Sequence, residues 1–484
     1  MDAETNRLHF ALFPFMEQGH MIPMIDIAKL LAQRGVVITI FTTPLNAARF
    51  KPTLARAVES GLQIQTLQLQ FPCLEAGLPE GCENVDMVPS LDLGSNFFTA
   101  VEMLQEQVER VFVQLKPKLN CIISDVHVPY TMHIAGKFNI PWIAFRAVGC
   151  FSFMCFNNLY SSNILESITS DSEYIAVPGL PDNVEFTKPQ VTCVDQQTKV
   201  VKEHIDAVHG SAYGVIVNSF EELEPDYVTE YEKIKDVKVW CVGPVSLHNK
   251  EYSDKAERGN RASVDEQKCV SWLDTRNPGS VIYACLGSLC NLIPSQMIEL
   301  GLGLEASNRP FIWVIRDGET SKELRKWSVE DGFEERVKGR GLVIWGWAPQ
   351  VLILSHPSIG GFLTHCGWNS TIEGISAGLP LLTWPLFGDQ FINEKFAVQI
   401  LKIGVRIGVE KPMDWGEEQS VGVFVNRDDV KNAVGRLMDE GKEGEERRER
   451  ARELGKLAKL AVQEEGSSQL NLSLLLEDIG KLVM

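Results

Sequence analysis

The sequence has few features that would attach a protein to a membrane or to a polyanion. No run of about 18 apolar residues occurs in the 484-residue chain, so no membrane-spanning helix is expected. Lysine and arginine number 46 against 64 aspartate and glutamate residues, and the formal net charge is -18. Nucleic acids and anionic membranes are bound by clustered cations, which excludes both as general partners. An anionic ligand would have to be held locally by backbone N–H groups and a few side chains.

Signals for export and for disulfide formation are also missing. The N-terminus has no basic region followed by a long apolar core, so we expect a cytoplasmic protein without a signal peptide. Eleven cysteines are scattered through apolar contexts without a C-x-x-C pair or a cluster that resembles a metal site. This distribution indicates reduced, buried thiols rather than disulfides. We expect a monomer.

The hydrophobic pattern divides the chain into two similar halves. A strand-like run, a helical period and a β-branched run follow one another in residues 8–41, and a second such series begins at residue 280. The pattern predicts an α/β protein whose two Rossmann-like domains face each other across a cleft. The expected divisions are an N-terminal domain of residues 1–246, a polar linker of residues 247–267 and a C-terminal domain of residues 268–464. Residues 465–484 are expected to form a helix that packs back toward the N-terminal domain.

Two polar residues stand at strand ends in the N-terminal half. His20 lies in a turn after the first strand, and Pro23 is expected to be the first residue of the helix that follows. Asp125 ends a second strand. Ligands of parallel sheets bind beyond the carboxyl ends of the strands, so this placement favours a functional pair over two structural residues. His127 and His133 show no such pairing and are expected to be packing or surface residues.

Residues 347–390 have the pattern of an anion-binding strand–turn–helix unit. Residues 359–363 predict a short buried strand that leads to His365. A helix should follow, with Asn369 or Ser370 as its N-cap, and should end at Gly378. The free N–H groups and the positive end of the dipole at such a helix start favour an anion such as pyrophosphate.

These motifs resemble the plant family of UDP-sugar-dependent secondary-product glycosyltransferases. Residues 347–390 match the length and order of the family's signature box, from W-A-P-Q through T-H-C-G-W-N-S to the closing D-Q. Residues 13–35 look like the subgroup that acts on flavonoids, triterpenoids, steroids and cytokinins. The resemblance implies the two-domain GT-B fold and an inverting O-glucosyltransferase. Its substrates would be UDP-glucose and a hydroxyl or carboxyl of a lipophilic small molecule.

The resemblance also implies a donor site. Trp347 would stack on the uracil, Glu373 would accept from the two ribose hydroxyls, and His365 would hold the phosphates with the helix N-terminus. Asp389 and Gln390 would bind sugar hydroxyls, and Gln at the last position resembles the glucose users. The complete expected set is Gly19, Ser288, Trp347, Ala348, Gln350, His365, Gly367, Trp368, Asn369, Ser370, Glu373, Asp389 and Gln390.

The expected catalytic residues are His20 and Asp125. An imidazole with a pKa near 6.5 can take the proton of an acceptor hydroxyl, and a carboxylate on its other nitrogen fixes the tautomer. The sequence has no D-x-D pair to place a divalent metal on a diphosphate. We therefore expect neither a metal nor a cofactor, with UDP-glucose as co-substrate.

Several alternatives stay open at the level of sequence. The chain could be a nucleotide-sugar-binding relative without catalysis, or a UDP-sugar epimerase or phosphorylase of the same architecture. The acceptor is not identified by any motif. We place its site in residues 70–100 and 150–200, whose Gly, Pro and Asn content is typical of long loops.

Overall fold

The computed structural model describes residues 7–191, 211–290, 292–413 and 421–483. Within these residues the strands form a seven-stranded sheet, a six-stranded sheet and a two-stranded ribbon. The strands are β1 His9–Phe13, β2 Val37–Thr42, β3 Ile64–Gln68, β4 Cys121–Asp125, β5 Trp142–Arg146, β6 Tyr174–Ala176, β7 Glu185–Thr187, β8 Gly214–Val217, β9 Lys238–Cys241, β10 Val281–Cys285, β11 Phe311–Ile315, β12 Gly341–Trp345, β13 Ile359–Thr364, β14 Leu381–Thr383 and β15 Gly404–Arg406.

Helices connect most of the strands. They are α1 Gln18–Gln33, α2 Pro44–Glu59, α3 Gly94–Glu102, α4 Gln105–Phe112, α5 Tyr130–Phe138, α6 Cys150–Ser161, α7 Lys188–Val191, α8 Pro225–Lys235, α9 Tyr252–Ala256, α10 Glu266–Asp274, α11 Pro294–Ala306, α12 Glu319–Glu330, α13 Phe333–Val337, α14 Gln350–Leu354, α15 Trp368–Ser376, α16 Gln390–Lys395, α17 Arg427–Leu437, α18 Lys442–Ala461 and α19 Ser467–Val483. None of the helices described is long and apolar enough to cross a membrane.

Both large sheets are parallel and reverse their strand order at one point. The first has the order β3-β2-β1-β4-β5-β8-β9, and the second has the order β12-β11-β10-β13-β14-β15. The central strands are apolar runs because helices cover both faces of each sheet. A crevice opens where the strand order reverses, between β1 and β4 in one sheet and between β10 and β13 in the other. This topology confirms the predicted α/β architecture.

Two predicted helix starts are wrong. Helix α1 begins at Gln18, so Pro23 lies inside it. Proline has no N–H, and the carbonyl oxygen of Gly19 four residues earlier instead accepts a hydrogen bond from Asn369. Helix α15 begins at Trp368, and its N-cap is Gly367 rather than Asn369 or Ser370. The side chain of Asn369 does not cap the helix because it is turned toward the N-terminal half.

The expected linker and the C-terminal helix make specific contacts. Residues 247–267 contain α9 and the start of α10, so this segment is more ordered than its composition indicates. Helix α19 packs against β9, where Lys238 Nζ lies 2.7 Å from an oxygen of Asp478. The domain boundaries themselves stay predictions.

Other expectations concern the core and the loops. The ten cysteines described are free thiols, and most are buried. Trp313 and Trp384 lie in the core of the C-terminal half. The expectation of a long loop over residues 150–200 is wrong, since this segment begins with α6 and also contains β6, β7 and α7. Its residues from 192 onward lie outside the part of the chain described here.

Candidate active site

A cleft of about 880 Å³ lies between the carboxyl edges of the two large sheets. Every residue of the expected donor set lines it, and so does His20. Asp125 is fully buried and stands behind His20. The structure therefore brings together residues that are up to 371 positions apart in the sequence, from Gly19 and His20 to Asp389 and Gln390.

His20 and Asp125 meet at the crevice between β1 and β4. The two strands are adjacent and parallel, with Phe13 opposite Ser124, so their carboxyl ends reach the same edge. His20 lies in the first turn of α1, and its Nδ1 is 2.6 Å from Asp125 Oδ2. Burial acts to raise the pKa of Asp125, but the charge of His20 and the hydrogen bonds from His127 and His20 together lower it well below its usual range, so this carboxyl is ionised at neutral pH. A carboxylate accepts only, so Nδ1 carries a proton in both charge states of His20, and Nε2 is the atom that gains or loses one.

Neighbouring carboxylates change the expected acidity of His20. Burial acts to lower the pKa of His20, but the charges of Asp125 and then Glu17 raise it to about 9. Glu17 contributes because its Oε2 lies 3.6 Å from His20 Nε2. The expectation of a pKa near 6.5 is therefore wrong for this site, since it considered the imidazole without its acidic neighbours.

His127 is a site residue that the sequence reasoning missed. Its backbone N and its Nδ1 each lie 2.9 Å from Asp125 Oδ1, and its ring stands perpendicular to that of His20 at 5.0 Å. One carboxylate thus orients two imidazoles. The backbone bond is an Asx turn, so the Asp-x-His spacing after a strand was the signal in the sequence. The three side chains offer ligand atoms within 4.8 Å of one another, but both Nδ1 atoms are engaged with Asp125, as in a hydrogen-bonded triad.

The second crevice, between β10 and β13, holds the anion-binding elements. Strand β13 ends before His365, and α15 starts at Trp368 with its first N–H groups free of intrahelical partners. Burial lowers the pKa of His365 to about 4, so this imidazole is neutral. Its ring packs against Gly287, where a Cβ would lie 2.6 Å from the ring, and φ at Gly287 is +82°. In the part of the chain described, the buried Nδ1 of His365 has no hydrogen-bond partner.

Trp347, Gln350 and Glu373 form the far wall of this crevice. Gln350 Nε2 donates to Glu373 Oε2 at 2.8 Å and to the hydroxyl of Ser370 at 3.1 Å. The indole N–H of Trp347 is buried without a hydrogen-bond partner among the described residues. Ala348 follows Trp347 along the cleft. An aromatic side chain beside a buried carboxylate suits a nucleoside that carries hydroxyls.

Asp389 and Gln390 approach the N-terminal half across the cleft. Burial raises the pKa of Asp389 to about 6, and Asn393 donates to its Oδ2 at 2.7 Å. Asp389 and His20 line the same cleft, and the charge of each acts on the pKa of the other. Gln390 Oε1 accepts from the backbone N–H of Leu386 at 2.8 Å, so its amide N is the part left for a ligand.

Two residues of the box connect the two halves of the molecule. The indole N–H of Trp368 donates to the carbonyl oxygen of Asn218 at 2.9 Å. Asn369 donates to Gly19 and accepts from Asn218 Nδ2 at 3.2 Å. The side chains of Trp368 and Asn369 are thus engaged with the N-terminal half, whereas Ser288 and Ser370 reach the cleft from the C-terminal half.

The N-terminal side of the cleft is mainly apolar. Its lining comes from the loop after β1 and from α3 and α6, and the aromatic residues are Phe15, Phe97, Phe98, Phe153, Phe156 and Tyr160. Phe15 stacks on Phe98 with ring centroids 5.6 Å apart, and the rings of Phe15 and His20 are steeply inclined to each other with centroids 5.5 Å apart. A flat, lipophilic molecule therefore fits beside His20.

The expected linker supplies a further cleft residue that the sequence gave no reason to choose. Arg258 lies in a run of charged residues without periodicity, yet its side chain is only 9% exposed. It pairs with Asp26 of α1 and with Glu373 of α15. Contacts between positions this far apart exist only in the folded chain.

Comparisons with known proteins agree with this geometry. The family model described as UDP-glucoronosyl and UDP-glucosyl transferase matches residues 262–435. UDP-glycosyltransferase 73C12 of Barbarea vulgaris is 57% identical over 479 residues, which are 98% of this chain and 97% of that protein.

Solved structures show the same fold. The structure of UGT73P12 from Glycyrrhiza uralensis, complexed with glycyrrhetinic acid 3-O-monoglucuronide, superposes with a TM-score of 0.89 at 36% identity and covers 98% of this chain and 96% of that one. UGT89C1 from Arabidopsis thaliana, complexed with UDP-L-rhamnose, gives a TM-score of 0.75 at 28% identity and covers 98% of this chain and 100% of that one. The fold, the cleft and this identity over nearly the whole chain show that the protein belongs to the plant UDP-glycosyltransferases.

Proposed function

We propose that this glycosyltransferase transfers glucose from UDP-glucose to a hydroxyl or carboxyl of a lipophilic small molecule, with inversion. The observation that carries the proposal is the His20–Asp125 pair, whose Nε2 opens into the same cleft as the complete signature box. The acceptor would lie on the aromatic side, and the UDP-sugar would lie along Trp347, Glu373 and the start of α15.

His20 would act as the general base of a single displacement. The acceptor oxygen forms a bond to the anomeric carbon while the bond from that carbon to the diphosphate oxygen breaks. The acceptor proton moves to His20 Nε2, and UDP leaves with the electron pair. Asp125 would act as a positioning residue that stabilises the resulting imidazolium. An α-linked donor would thereby give a β-glucoside.

The negative charge of the leaving UDP would be stabilised without a metal. The first N–H groups of α15 point along the positive end of the helix dipole, and His365 is a neutral imidazole that can donate one hydrogen bond. Ser288 and Ser370 add hydroxyl donors at the same crevice. These groups are fixed before the reaction, which is the condition for electrostatic stabilisation of a transition state.

Glucose as the donor sugar is supported by Asp389 and Gln390. A carboxylate beside an amide N–H can bind adjacent hydroxyls as acceptor and donor. The variant Gln390→His should weaken the use of UDP-glucose relative to UDP-galactose, which steady-state kinetics with both donors would measure. An unchanged donor ratio would show that this position does not select the sugar.

The decisive experiment is an incubation of the purified protein with UDP-glucose and a panel of phenolic, triterpenoid and carboxylic acceptors. We expect a mass increase of one hexose and, by NMR, a β-linkage. An arm without acceptor tests for conversion of the UDP-sugar itself, which an epimerase would catalyse. No transfer to any acceptor with any UDP-sugar would contradict the proposal.

A further inference from the structure

The segment between the two halves is fastened to the N-terminal half at its first part. Lys29 Nζ of α1 donates to Asn249 Oδ1 at 2.9 Å and to Asp254 Oδ2 at 3.2 Å. Arg56 of α2 pairs with Asp254 and with Glu257. Lys29 and Arg56 lie on two different helices of the N-terminal half, so the first part of the segment is held against that half at more than one point.

Its second part, residues 258–263, lies on the signature box. The backbone N–H of Ser263 donates to the carbonyl of Trp347 at 2.8 Å, and Trp347 N donates to the Ser263 hydroxyl at 2.9 Å. Gly259 has φ +93°, and a Cβ there would lie 2.6 Å from the indole of Trp347 and 2.9 Å from Ile22. Only glycine fits between the indole and α1, so the segment holds the ring proposed to stack on uracil.

Arg258 occupies the junction between the two parts. Its Nε donates to Asp26 Oδ2 at 2.7 Å, and its Nη1 donates to Glu373 Oε1. Asp26 is 3% exposed and Glu373 is 6% exposed. The buried cluster thus has one cation between two carboxylates, and the charges of both raise the pKa of Arg258 against the effect of burial. A planar guanidinium can serve two carboxylates in fixed directions, which a lysine ammonium cannot do as rigidly.

We propose that Arg258 is a positioning residue of the donor site, which sets the direction of the Glu373 carboxylate for the ribose hydroxyls. The proposal rests on the role proposed above for Glu373. Arg258 fixes Oε1 and Gln350 fixes Oε2, and each carboxylate oxygen keeps a further lone pair for a ligand hydroxyl. Asp26 and His20 share α1, so the same guanidinium also ties the donor site to the helix that carries the base.

The test compares the binding of UDP with that of 2′-deoxy-UDP, which lacks one of the two hydroxyls from which Glu373 would accept a hydrogen bond. By calorimetry, the unmodified protein should bind UDP about tenfold more tightly than 2′-deoxy-UDP. In Arg258→Lys this ratio should fall to about two, because UDP loses affinity and the deoxy ligand loses little. A purely structural role would weaken both ligands alike. Arg110→Lys is the matched control, since Arg110 is 72% exposed on α4.

A second, double variant distinguishes a local effect on Glu373 from misfolding of the protein. Asp26→Asn/Arg258→Gln keeps the cluster at a net charge of one negative unit, as in the native cluster of two carboxylates and one guanidinium, and should show the same fall in the ratio. A ratio that stays near the native value in either folded variant overturns the proposal for Arg258. A native protein that binds both ligands equally overturns the role of Glu373 itself, and one that transfers no sugar overturns the proposed function.

Discussion

At the scale of single residues, His20 would have to lose a proton before it could act as the proposed base. The carboxylates of Asp125 and Glu17 stabilise its imidazolium, so at pH 7 only about one molecule in a hundred would hold it neutral with a pKa of about 9. The same pairing makes Nε2 strongly basic once it is neutral. The raised pKa thus has two opposite effects: it lowers the fraction of His20 in the neutral form and makes that form a stronger base. The position of His20 in the sequence does not show this balance.

Replacement of His20 tests the base directly. His20→Ala should lower kcat by about 10²- to 10⁴-fold, the usual range for a general base, and leave UDP binding within about twofold. Kinetics and calorimetry measure the two effects. His133→Ala is the control because this histidine is exposed on α5. Full transfer activity in His20→Ala would show that a group other than His20 takes the proton of the acceptor hydroxyl.

The pH dependence follows from the raised pKa. The neutral form of His20 grows as pH rises toward its pKa, so kcat/KM should increase up to about pH 9. Glu17→Gln removes one of the charges that raise this pKa and should move the rising limb to lower pH. Glu106→Gln, on an 86% exposed side chain, should leave the profile unchanged. A Glu17→Gln profile that coincides with the native one would exclude Glu17 as a cause.

At the scale of elements, the positions of the strands were the most predictable feature. Runs such as residues 121–124 and 311–315 are apolar and β-branched because helices cover both faces, and the structure places strands there. The starts of α1 and α15 were not predictable from capping rules. Pro23 has no N–H to donate to the carbonyl oxygen of Gly19, and that oxygen accepts a hydrogen bond from Asn369 of the other half. A contact between the two halves thus overrides the local capping preferences.

The start of α15 offers a test of the anion site. A Cβ on Gly367 would collide with the His365 imidazole, while φ at Gly367 is -57° and allows alanine. Gly367→Ala should therefore displace the ring and raise KM for UDP-glucose by about tenfold without a large change in thermal stability. Gly136→Ala is the control, because Gly136 lies on α5 outside the cleft and a Cβ there would meet nothing within 4 Å. A native KM in Gly367→Ala would show that His365 does not serve the donor.

At the scale of the whole molecule, the active site exists only where two sheets face each other. Asn218 contacts both Trp368 and Asn369, and Phe151 of α6 stacks on Phe396 at 5.0 Å. The buried core is continuous between the halves at this interface. Donor binding should consequently stabilise both halves together.

This coupling can be measured by thermal unfolding with UDP. At a concentration of 100 Kd, UDP should stabilise the folded protein by about 2.7 kcal/mol, seen as a single transition that moves to higher temperature. The shift should be equal with magnesium and with EDTA if, as proposed, fixed N–H groups and His365 take the place of a cation. A shift that requires magnesium would show that a metal holds the diphosphate.

The sequence by itself determined the class of fold, the two halves and the residues of the signature box, because each depends on periodicity or on a contiguous motif. Only the tertiary structure decided the acidity of His20, the meeting of His20 with Asp125 and His127, and the place of Arg258. Each of these depends on distances between groups that are remote in the chain or on their burial. Electrostatic energies vary with distance and solvent exposure, and a linear pattern contains neither.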